Sequence, residues 1–284
     1  MMQLQHESDH AVSLSYQGRL LCRYVYAPQT PLTESPRPYF HPVNTTAGDT
    51  LTNLRPNDHA WHHGLSLTLN NVSGVNFWGG PTYVRGQGYQ WLSDHGAQFH
   101  RSWEKLEARS NGASLAETLE WRRDVDVCFK EERQIDIAVA EGGKSWSLRW
   151  QSRLRNVSGR VLSLGNPHSN GGLAGSHYTG LQFRGARELL DDHLDPTIKI
   201  VAEGGLEGVG AVHGAPARWM EWHGQMDTSL ARVVLRFENN TGPLHWFVRR
   251  NSPLAALPVQ FDKNLEVPAG GDLNLDHTLT FSAV

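Results

Sequence analysis

The feature that most constrains this chain is an alternation of apolar and polar residues with a period of two, repeated along most of its length. Such alternation places apolar side chains on one face of a β-strand and polar side chains on the other. Residues 12–16 and 20–26 show it on either side of Gln17-Gly18, which predicts a hairpin. Further strands are predicted at residues 65–69, 97–108, 114–122, 125–139, 145–155, 218–222, 231–238, 245–249 and 275–281.

Short turns separate these predicted strands, as at Ser110-Asn111-Gly112 and Glu141-Gly142-Gly143. No amphipathic helix longer than two turns is predicted, and residues 188–194 are expected to form one short turn at most. No linker is long or polar enough to mark a boundary. Residues 1–284 are therefore predicted to form a single domain, an all-β fold built as a large antiparallel β-sandwich.

Charge and hydropathy limit the kinds of partner. The chain has 26 Lys and Arg against 29 Asp and Glu, a net charge of −3, whereas binding to nucleic acid or anionic membranes favours a basic face. No apolar run approaches the roughly 20 residues that span a bilayer, and the first ten residues lack the apolar segment of a signal peptide. We predict a cytoplasmic protein with a small-molecule partner, no nucleic-acid or membrane partner, and an open possibility of a homo-oligomer.

The two cysteines, Cys22 and Cys128, lie far apart within predicted strands and in no C-x-x-C pair. Buried free thiols are therefore expected rather than a disulfide or a cysteine-rich zinc site. The sequence also contains no G-x-S-x-G elbow, P-loop or dinucleotide fingerprint, which lowers the expectation of acyl-transfer or nucleotide chemistry.

The densest group of titratable residues follows a proline-rich run whose Arg37 and His41 are candidates for ligand binding. Loops at strand ends often carry binding sites, and the sequence here permits two interpretations. Histidine and carboxylate are ligands for divalent metals, but the spacing matches no zinc signature. Acid–base catalysis needs only one histidine beside a carboxylate, so we favour it and expect neither a metal nor a cofactor. The catalytic candidates in this block are Asp58, His59, His62 and His63.

A second candidate segment is rich in glycine and spans residues 165–180. Its glycines allow a close approach to a ligand, and its polar side chains suit hydroxyl groups. The alternative is a long turn whose polar groups satisfy its own backbone. We take His168 as a further acid–base candidate and Asn170, His177 and Tyr178 as candidates for ligand binding.

Two later strands add polar candidates. Glu221 and His223 are two residues apart and should share one face of a strand. They could bind a ligand together or form a solvent-facing pair. Arg249 could contact a ligand or pair with a buried carboxylate. The abundance of aromatic and imidazole groups, with 10 Trp and 15 His, suits a sugar-binding surface.

Several of these segments resemble an uncharacterised bacterial family labelled "methane oxygenase PmoA-like". The resemblance lies in R-P-Y-F-H-P at residues 37–42, D-H-x-x-H-H-G at 58–64, N-x-V-x-G-V-N-F-W-G at 70–79, P-x-x-x-G…G-x-x-Y-x-G-L-x-x-R at 167–184 and W-x-V-R at 246–249. It implies a β-supersandwich similar to galactose mutarotase and a role in sugar catabolism. A membrane copper-oxygenase subunit would need spanning helices, which this sequence does not predict.

Three functions follow as hypotheses. The first is an enzyme that applies histidine and carboxylate acid–base chemistry to a monosaccharide or a modified (keto) sugar, as an epimerase, lyase or hydrolase. The second is a carbohydrate-binding protein without catalysis, and the third is a metal-dependent β-barrel enzyme. The first two require the block at residues 58–63 and the glycine-rich segment to line one hollow.

Overall fold

The alternating pattern forms antiparallel strands through most of the chain, of which a computed structural model describes residues 1–250 and 252–284. The only α-helix among these residues is the four-residue α1 (Val209–Val212), and short 3-10 helices occur at Leu32–Glu34, Arg187–Leu189 and Glu203–Gly205. The strands, in chain order, are β1 (Met2–Glu7), β2 (Ala11–Tyr16), β3 (Arg19–Val25), β4 (Tyr39–Val43), β5 (Leu65–Thr68), β6 (Asn71–Val72), β7 (Thr82–Val84), β8 (Gly88–Gln90), β9 (Ala97–Ala108), β10 (Gly112–Arg123), β11 (Asp126–Val139), β12 (Ser145–Asn156), β13 (Leu162–Gly165), β14 (Gly180–Arg184), β15 (Lys199–Ala202), β16 (Leu206–Glu207), β17 (Pro216–Ala217), β18 (Trp219–Gln225), β19 (Arg232–Asn239), β20 (Leu244–His245), β21 (Phe247–Arg249), β22 (Leu254–Leu257), β23 (Leu265–Val267) and β24 (Asp272–Ala283).

Two large sheets contain most of these strands. One sheet has nine strands in the order β16-β15-β18-β19-β24-β12-β11-β10-β9, and the other has eight in the order β1-β2-β3-β4-β5-β14-β22-β21. Neighbouring strands in both sheets pair antiparallel, and the main cluster of buried apolar side chains draws on both sheets. The prediction of a large antiparallel β-sandwich is therefore confirmed.

The nine-stranded sheet follows the simple rule of one buried and one exposed face. Along β11, Ile135 and Ile137 are buried whereas Lys130, Glu132 and Gln134 on the opposite face are exposed. An antiparallel sheet with one solvated face requires this alternation. It is the reason that the long strands of this sheet could be located from the sequence.

The middle of the eight-stranded sheet is buried on both faces. Strands β5, β14 and β22 contain only buried residues. In β14, Leu181 and Phe183 belong to the main core, while Gln182 and Arg184 point to the opposite face. On that outward face, Phe247, Leu254 and Ala256 form a separate apolar cluster against which Tyr178 packs. This outward cluster supplies the base on which a site can be built.

A buried polar network ties the two sheets together. Arg133 of β11 is fully buried and donates to Glu131 at 2.7 and 2.8 Å and to the Tyr24 hydroxyl of β3 at 2.8 Å. Tyr24 in turn donates to Glu117, and Trp121 Nε1 donates to Glu131 at 2.7 Å. Each buried charge therefore has a hydrogen-bonded partner, as a low-dielectric interior requires.

Two further predictions, on the cysteines and on membrane-spanning helices, can be compared with the structure. Cys22 and Cys128 are free and buried, as expected from their spacing. Within residues 1–250 and 252–284, no helix has the length and apolar character needed to cross a membrane.

His277 in β24 generates a prediction about acid stability. The side chain is buried, neither ring nitrogen has a hydrogen-bond partner, and burial lowers its pKa to about 4. The unfolded chain, with an ordinary histidine pKa near 6.5, therefore binds a proton before the folded chain does. Stability is thus lost as the pH falls from about 6.5 towards 4. We expect His277→Leu to gain about 2 kcal/mol relative to the wild type between pH 7 and pH 4.5.

The measurement is the free energy of unfolding from urea titrations at several pH values. His193→Leu, at an exposed position, serves as the matched control and should leave the profile unchanged. Parallel profiles for His277→Leu and the wild type would show that His277 is not protonated preferentially in the unfolded chain.

Candidate functional site

A cleft of about 770 Å³ lies on the outward face of the eight-stranded sheet. From this sheet, the lining residues are Arg184 of β14, Phe247 and Arg249 of β21, and Leu254 of β22. Its aromatic and imidazole lining consists of His59, Trp61, His62, Trp78, Tyr89, Tyr178 and Phe247, and its basic lining of Arg184, Arg249 and Arg250. The remaining described lining residues are Gly79, Pro81, Leu173, Ser176, Val209, Ser252 and Leu254, so that none of the described lining residues is acidic.

One wall of the cleft is the histidine loop, residues 55–64, which joins the bridge at Leu54 to β5. The loop ends at Gly64, whose φ of +45° lies in the left-handed region. A Cβ at this position would lie 2.1 Å from the carbonyl oxygen of Phe40 in β4. Only glycine permits this close approach, which turns the chain sharply from the loop into the sheet.

Arg37 fixes the position of the histidine loop through buried hydrogen bonds. Its fully buried guanidinium donates to the backbone carbonyl oxygens of Glu34 at 2.9 Å, Ser35 at 3.0 Å and Trp61 at 2.7 Å, and Nε donates to Ser66 Oγ at 3.1 Å. Burial lowers its pKa to about 9, which still leaves a cation at pH 7. Arg37, predicted to bind a ligand, is not one of the residues that line the cleft, and its contacts position Trp61, which does.

Within the histidine loop, His59 and His62 line the cleft. Their ring centroids are 4.9 Å apart, and His59 Nδ1 lies 3.0 Å from Asp58 Oδ2. His62 is buried and its ring meets that of Trp78 edge-on at 5.8 Å. Burial, together with the positive charge of Arg184, lowers the pKa of His62 well below its ordinary value, so the ring is neutral at pH 7. The structure thus places a carboxylate-paired imidazole beside a neutral one.

His63 points away from the cleft, into a buried cluster. Its Nε2 lies 2.9 Å from Glu34 Oε2, and Arg55 donates to the same carboxylate at 2.7 and 3.0 Å. Burial lowers the pKa of His63 to about 4, so it is a neutral hydrogen-bond donor to Glu34 at pH 7. His63, a predicted catalytic residue, therefore lies on the side of the histidine loop that faces away from the cleft. Its contacts there hold the loop against residues 34–37.

The glycine-rich loop, residues 165–179, presents alternate side chains to the cleft. Ser176 and Tyr178 line it, whereas His177 between them points the other way and stacks on Phe261, with ring centroids 3.7 Å apart. Burial raises the pKa of Tyr178 well above its ordinary value, so its phenol stays protonated. The loop and the histidine block do share one hollow, but through Ser176 and Tyr178 rather than through His168 and His177.

The two histidines of the glycine-rich loop instead converge on Asp262. The potential ligand atoms of His168, His177 and Asp262 all lie within 4.8 Å of one another, so this cluster has the composition of a metal site. The Gly175 N–H, however, donates to His168 Nδ1 at 3.2 Å. A neutral ring then carries its proton on Nε2, the atom that faces Asp262 Oδ1 at 3.7 Å. This arrangement favours a polar cluster over metal ligation, which would require that contact with Gly175 to be released.

Four other predicted residues lie away from the cleft. His41 Nδ1 is 2.9 Å from Thr52 Oγ1, and Asn170 Oδ1 accepts a hydrogen bond from Asn264 at 3.0 Å. Glu221 and His223 share one face, as predicted, with 2.9 Å between Oε2 and Nε2, but they lie on β18 of the nine-stranded sheet. Arg249 and Tyr178, in contrast, do line the cleft.

The sequence interpretation missed several lining residues. Trp61 and Trp78 lie within the family motifs quoted above, and Arg184 ends the motif at residues 167–184, yet none of the three was among the predicted site residues. The usable signal for Arg184 was an arginine within an otherwise apolar strand, on the face opposite Leu181 and Phe183. Tyr89 and Arg250 carried no comparable local signal.

The chain belongs to a family of unknown function, DUF6807, whose model matches residues 11–283. That description names no activity, so the label "methane oxygenase PmoA-like" remains a prediction. The sequence matches no curated protein. Among solved structures, the chain is similar to a galactose mutarotase related enzyme from Lactobacillus acidophilus, with 7% identity over 99% of this chain and 97% of that chain and a TM-score of 0.32.

The contacts of Arg37 predict a large loss of stability on its removal. Arg37→Met would leave the buried carbonyl oxygens of Glu34, Ser35 and Trp61 without their donor. Each orphaned buried acceptor costs about 1–3 kcal/mol, so we expect the free energy of unfolding to fall by about 3 kcal/mol or more. The comparison is Arg153→Met, which breaks an exposed pair with Asp272 and should leave the free energy of unfolding nearly unchanged. Equal urea midpoints for the two variants would contradict this role.

Proposed function

We propose that the cleft binds a sugar and that His59 and His62 apply acid–base chemistry to it. The observation that carries the proposal is the convergence of aromatic faces and two differently placed imidazoles on one open cleft. The volume of about 770 Å³ falls in the range of roughly 300–1,000 Å³ that is usual for small-molecule sites.

The aromatic lining supports the choice of ligand. Trp61, Trp78 and Tyr89 offer flat apolar surfaces together with polar edges, a combination that suits the mixed apolar and hydroxyl faces of a sugar ring. Tyr178 adds a protonated hydroxyl and Ser176 another, both able to donate to or accept from sugar hydroxyls.

The two histidines differ in a way that suits proton transfer. His62, which is neutral at pH 7 and lines the cleft, can accept a proton from a sugar carbon or hydroxyl. His59, whose Nδ1 lies 3.0 Å from the Asp58 carboxylate, can give a proton to a sugar oxygen. One ring gains the proton that the other loses, so the pair as a whole stays balanced. The contact with Asp58 orients the His59 ring.

The lining favours some reaction types over others. Glycosidases in most families use two carboxyl groups at the scissile bond, whereas none of the described lining residues is Asp or Glu. An epimerase or a lyase, which need a base and an acid at one carbon or oxygen centre, therefore fits the cleft better than a hydrolase of that kind.

Binding is tested by calorimetry with a panel of monosaccharides and keto sugars. We expect Tyr89→Ala to weaken the best ligand by about tenfold, since stacking area is lost. Phe99→Ala, an exposed aromatic on β9 of the other sheet, is the matched control and should leave affinity unchanged. Equal affinities for both variants would place sugar binding outside this cleft.

Catalysis is tested by following the bound sugar by NMR. We expect His62→Gln to lower turnover by about 100-fold or more while affinity changes only a few-fold, because general-base catalysis contributes about 10²–10⁴. His193→Gln, in an exposed loop, is the control. Tight binding without any chemical change in the wild type would overturn the catalytic half of the proposal and leave a carbohydrate-binding protein.

A further inference from the structure

The cleft carries an excess of positive charge that the proposed function does not use. Arg184, Arg249 and Arg250 all line it, and none of them forms an ion pair with a described carboxylate. The acidic group that acts on the charge of Arg184 is Asp58, which is already paired with His59. Arg187 adds a further positive charge close to Arg184.

Arg184 is the decisive residue. It is only 6% exposed, its Nε has no hydrogen-bond partner, and Nη1 makes one long contact of 3.4 Å with the carbonyl oxygen of Ser252. A guanidinium carries five N–H donors and stays charged in proteins. Buried cations are normally paired with an anion because burial removes their hydration. An unpaired, buried cation that borders an open cleft has the properties of a group awaiting an anionic ligand.

The other two arginines extend this surface towards solvent. The Arg249 guanidinium lies over the Phe247 ring at 4.9 Å, and Arg250 Nη2 donates to the carbonyl oxygen of Pro196 at 3.0 Å. Both contacts hold the side chains at the cleft while leaving N–H groups available. Planar guanidinium groups match carboxylate and phosphate oxygens in paired hydrogen bonds.

We infer that the ligand of the cleft is an acidic sugar, one whose carboxylate or phosphate group is bound by Arg184 with support from Arg249 and Arg250. This inference rests on the proposed function for the sugar part, and on the three arginines for the anionic part. The aromatic wall and the two imidazoles then contact the ring, while the arginines fix its orientation by the charged group.

The test uses the full chain and matched probes: D-glucose against D-glucuronate, D-galactose against D-galacturonate, and D-glucose 6-phosphate as the phosphate arm. Calorimetry should show that at least one acidic sugar binds about tenfold or more tightly than its neutral counterpart. A preference for the uronates identifies a carboxylate ligand, and a preference for the phosphate identifies a phosphorylated one. Acetate and inorganic phosphate alone serve as probes without a sugar ring.

Arg184→Met removes the charge and keeps a similar apolar volume, and Arg149→Met on the exposed face of β12 is its control. Because Arg184 lacks an internal partner, Arg184→Met should melt at the wild-type temperature or above it. It should also bind acidic and neutral sugars alike, whereas Arg149→Met keeps the preference. A marked fall in melting temperature would show that Arg184 has an internal structural role and would overturn the inference.

The outcomes separate the two proposals. Binding of neutral sugars with no preference for the acidic ones leaves the sugar proposal standing and overturns the anionic one. Binding of acetate or phosphate as strongly as of any acidic sugar, lost in Arg184→Met, supports the anion site and overturns the sugar proposal. If no probe binds at millimolar concentration, both are overturned.

Discussion

Arg37 donates four short hydrogen bonds from a fully buried position, three of them to backbone carbonyl oxygens. These bonds join residues 34–37 to a distant part of the chain, at Trp61 in the histidine loop and at Ser66 in β5. A loop contributes little apolar burial of its own, and its position depends on such contacts. The position of the wall that carries Trp61, His59 and His62 therefore depends on Arg37, which does not line the cleft, as well as on the contact of His63 with Glu34.

The cleft and the core arise from the same alternation. In β14, β21 and β22 one set of side chains, including Leu181, Val248 and Leu257, enters the main core. The intervening residues face outward and include Phe247 and Leu254 of the second apolar cluster. Because Tyr178 of the glycine-rich loop packs against that cluster and the histidine loop forms a wall beside it, the outward face becomes the base of a cleft. A strand buried on both faces is thus the local signature of the site.

The local pattern of apolar and polar residues determines how much of the fold could be predicted from the sequence. The strand Ala97–Ala108 has the predicted bounds, and β10, β11 and β12 differ from their predicted ranges by no more than two residues at either end. These strands show a clear alternation in the sequence because a one-residue shift in register would turn every apolar side chain to the solvent face. Predicting the site also required knowing which way each side chain points and which residues distant in the sequence it contacts. No sequence feature near His63 indicates that its ring donates a hydrogen bond to Glu34. None near His168 indicates that its ring lies close to Asp262. The directions of Ser176, His177 and Tyr178 follow the alternation, and that signal could have been used.

The electrostatics of the cleft show why a whole-chain charge is a poor guide to a binding site. The net charge of −3 argues against a polyanionic partner over a large surface. Within the cleft the sign is reversed, since three arginines and no described acidic residue line it. Acidic side chains are abundant elsewhere, where they pair with Arg149, Arg153 and Arg236 on the nine-stranded sheet. Those arginines are neutralised by neighbours on their own surface, whereas Arg184 is left with only the carbonyl oxygen of Ser252. The same residue type thus forms ion pairs on one sheet and, on the other, lines a cleft without a carboxylate partner among the described residues.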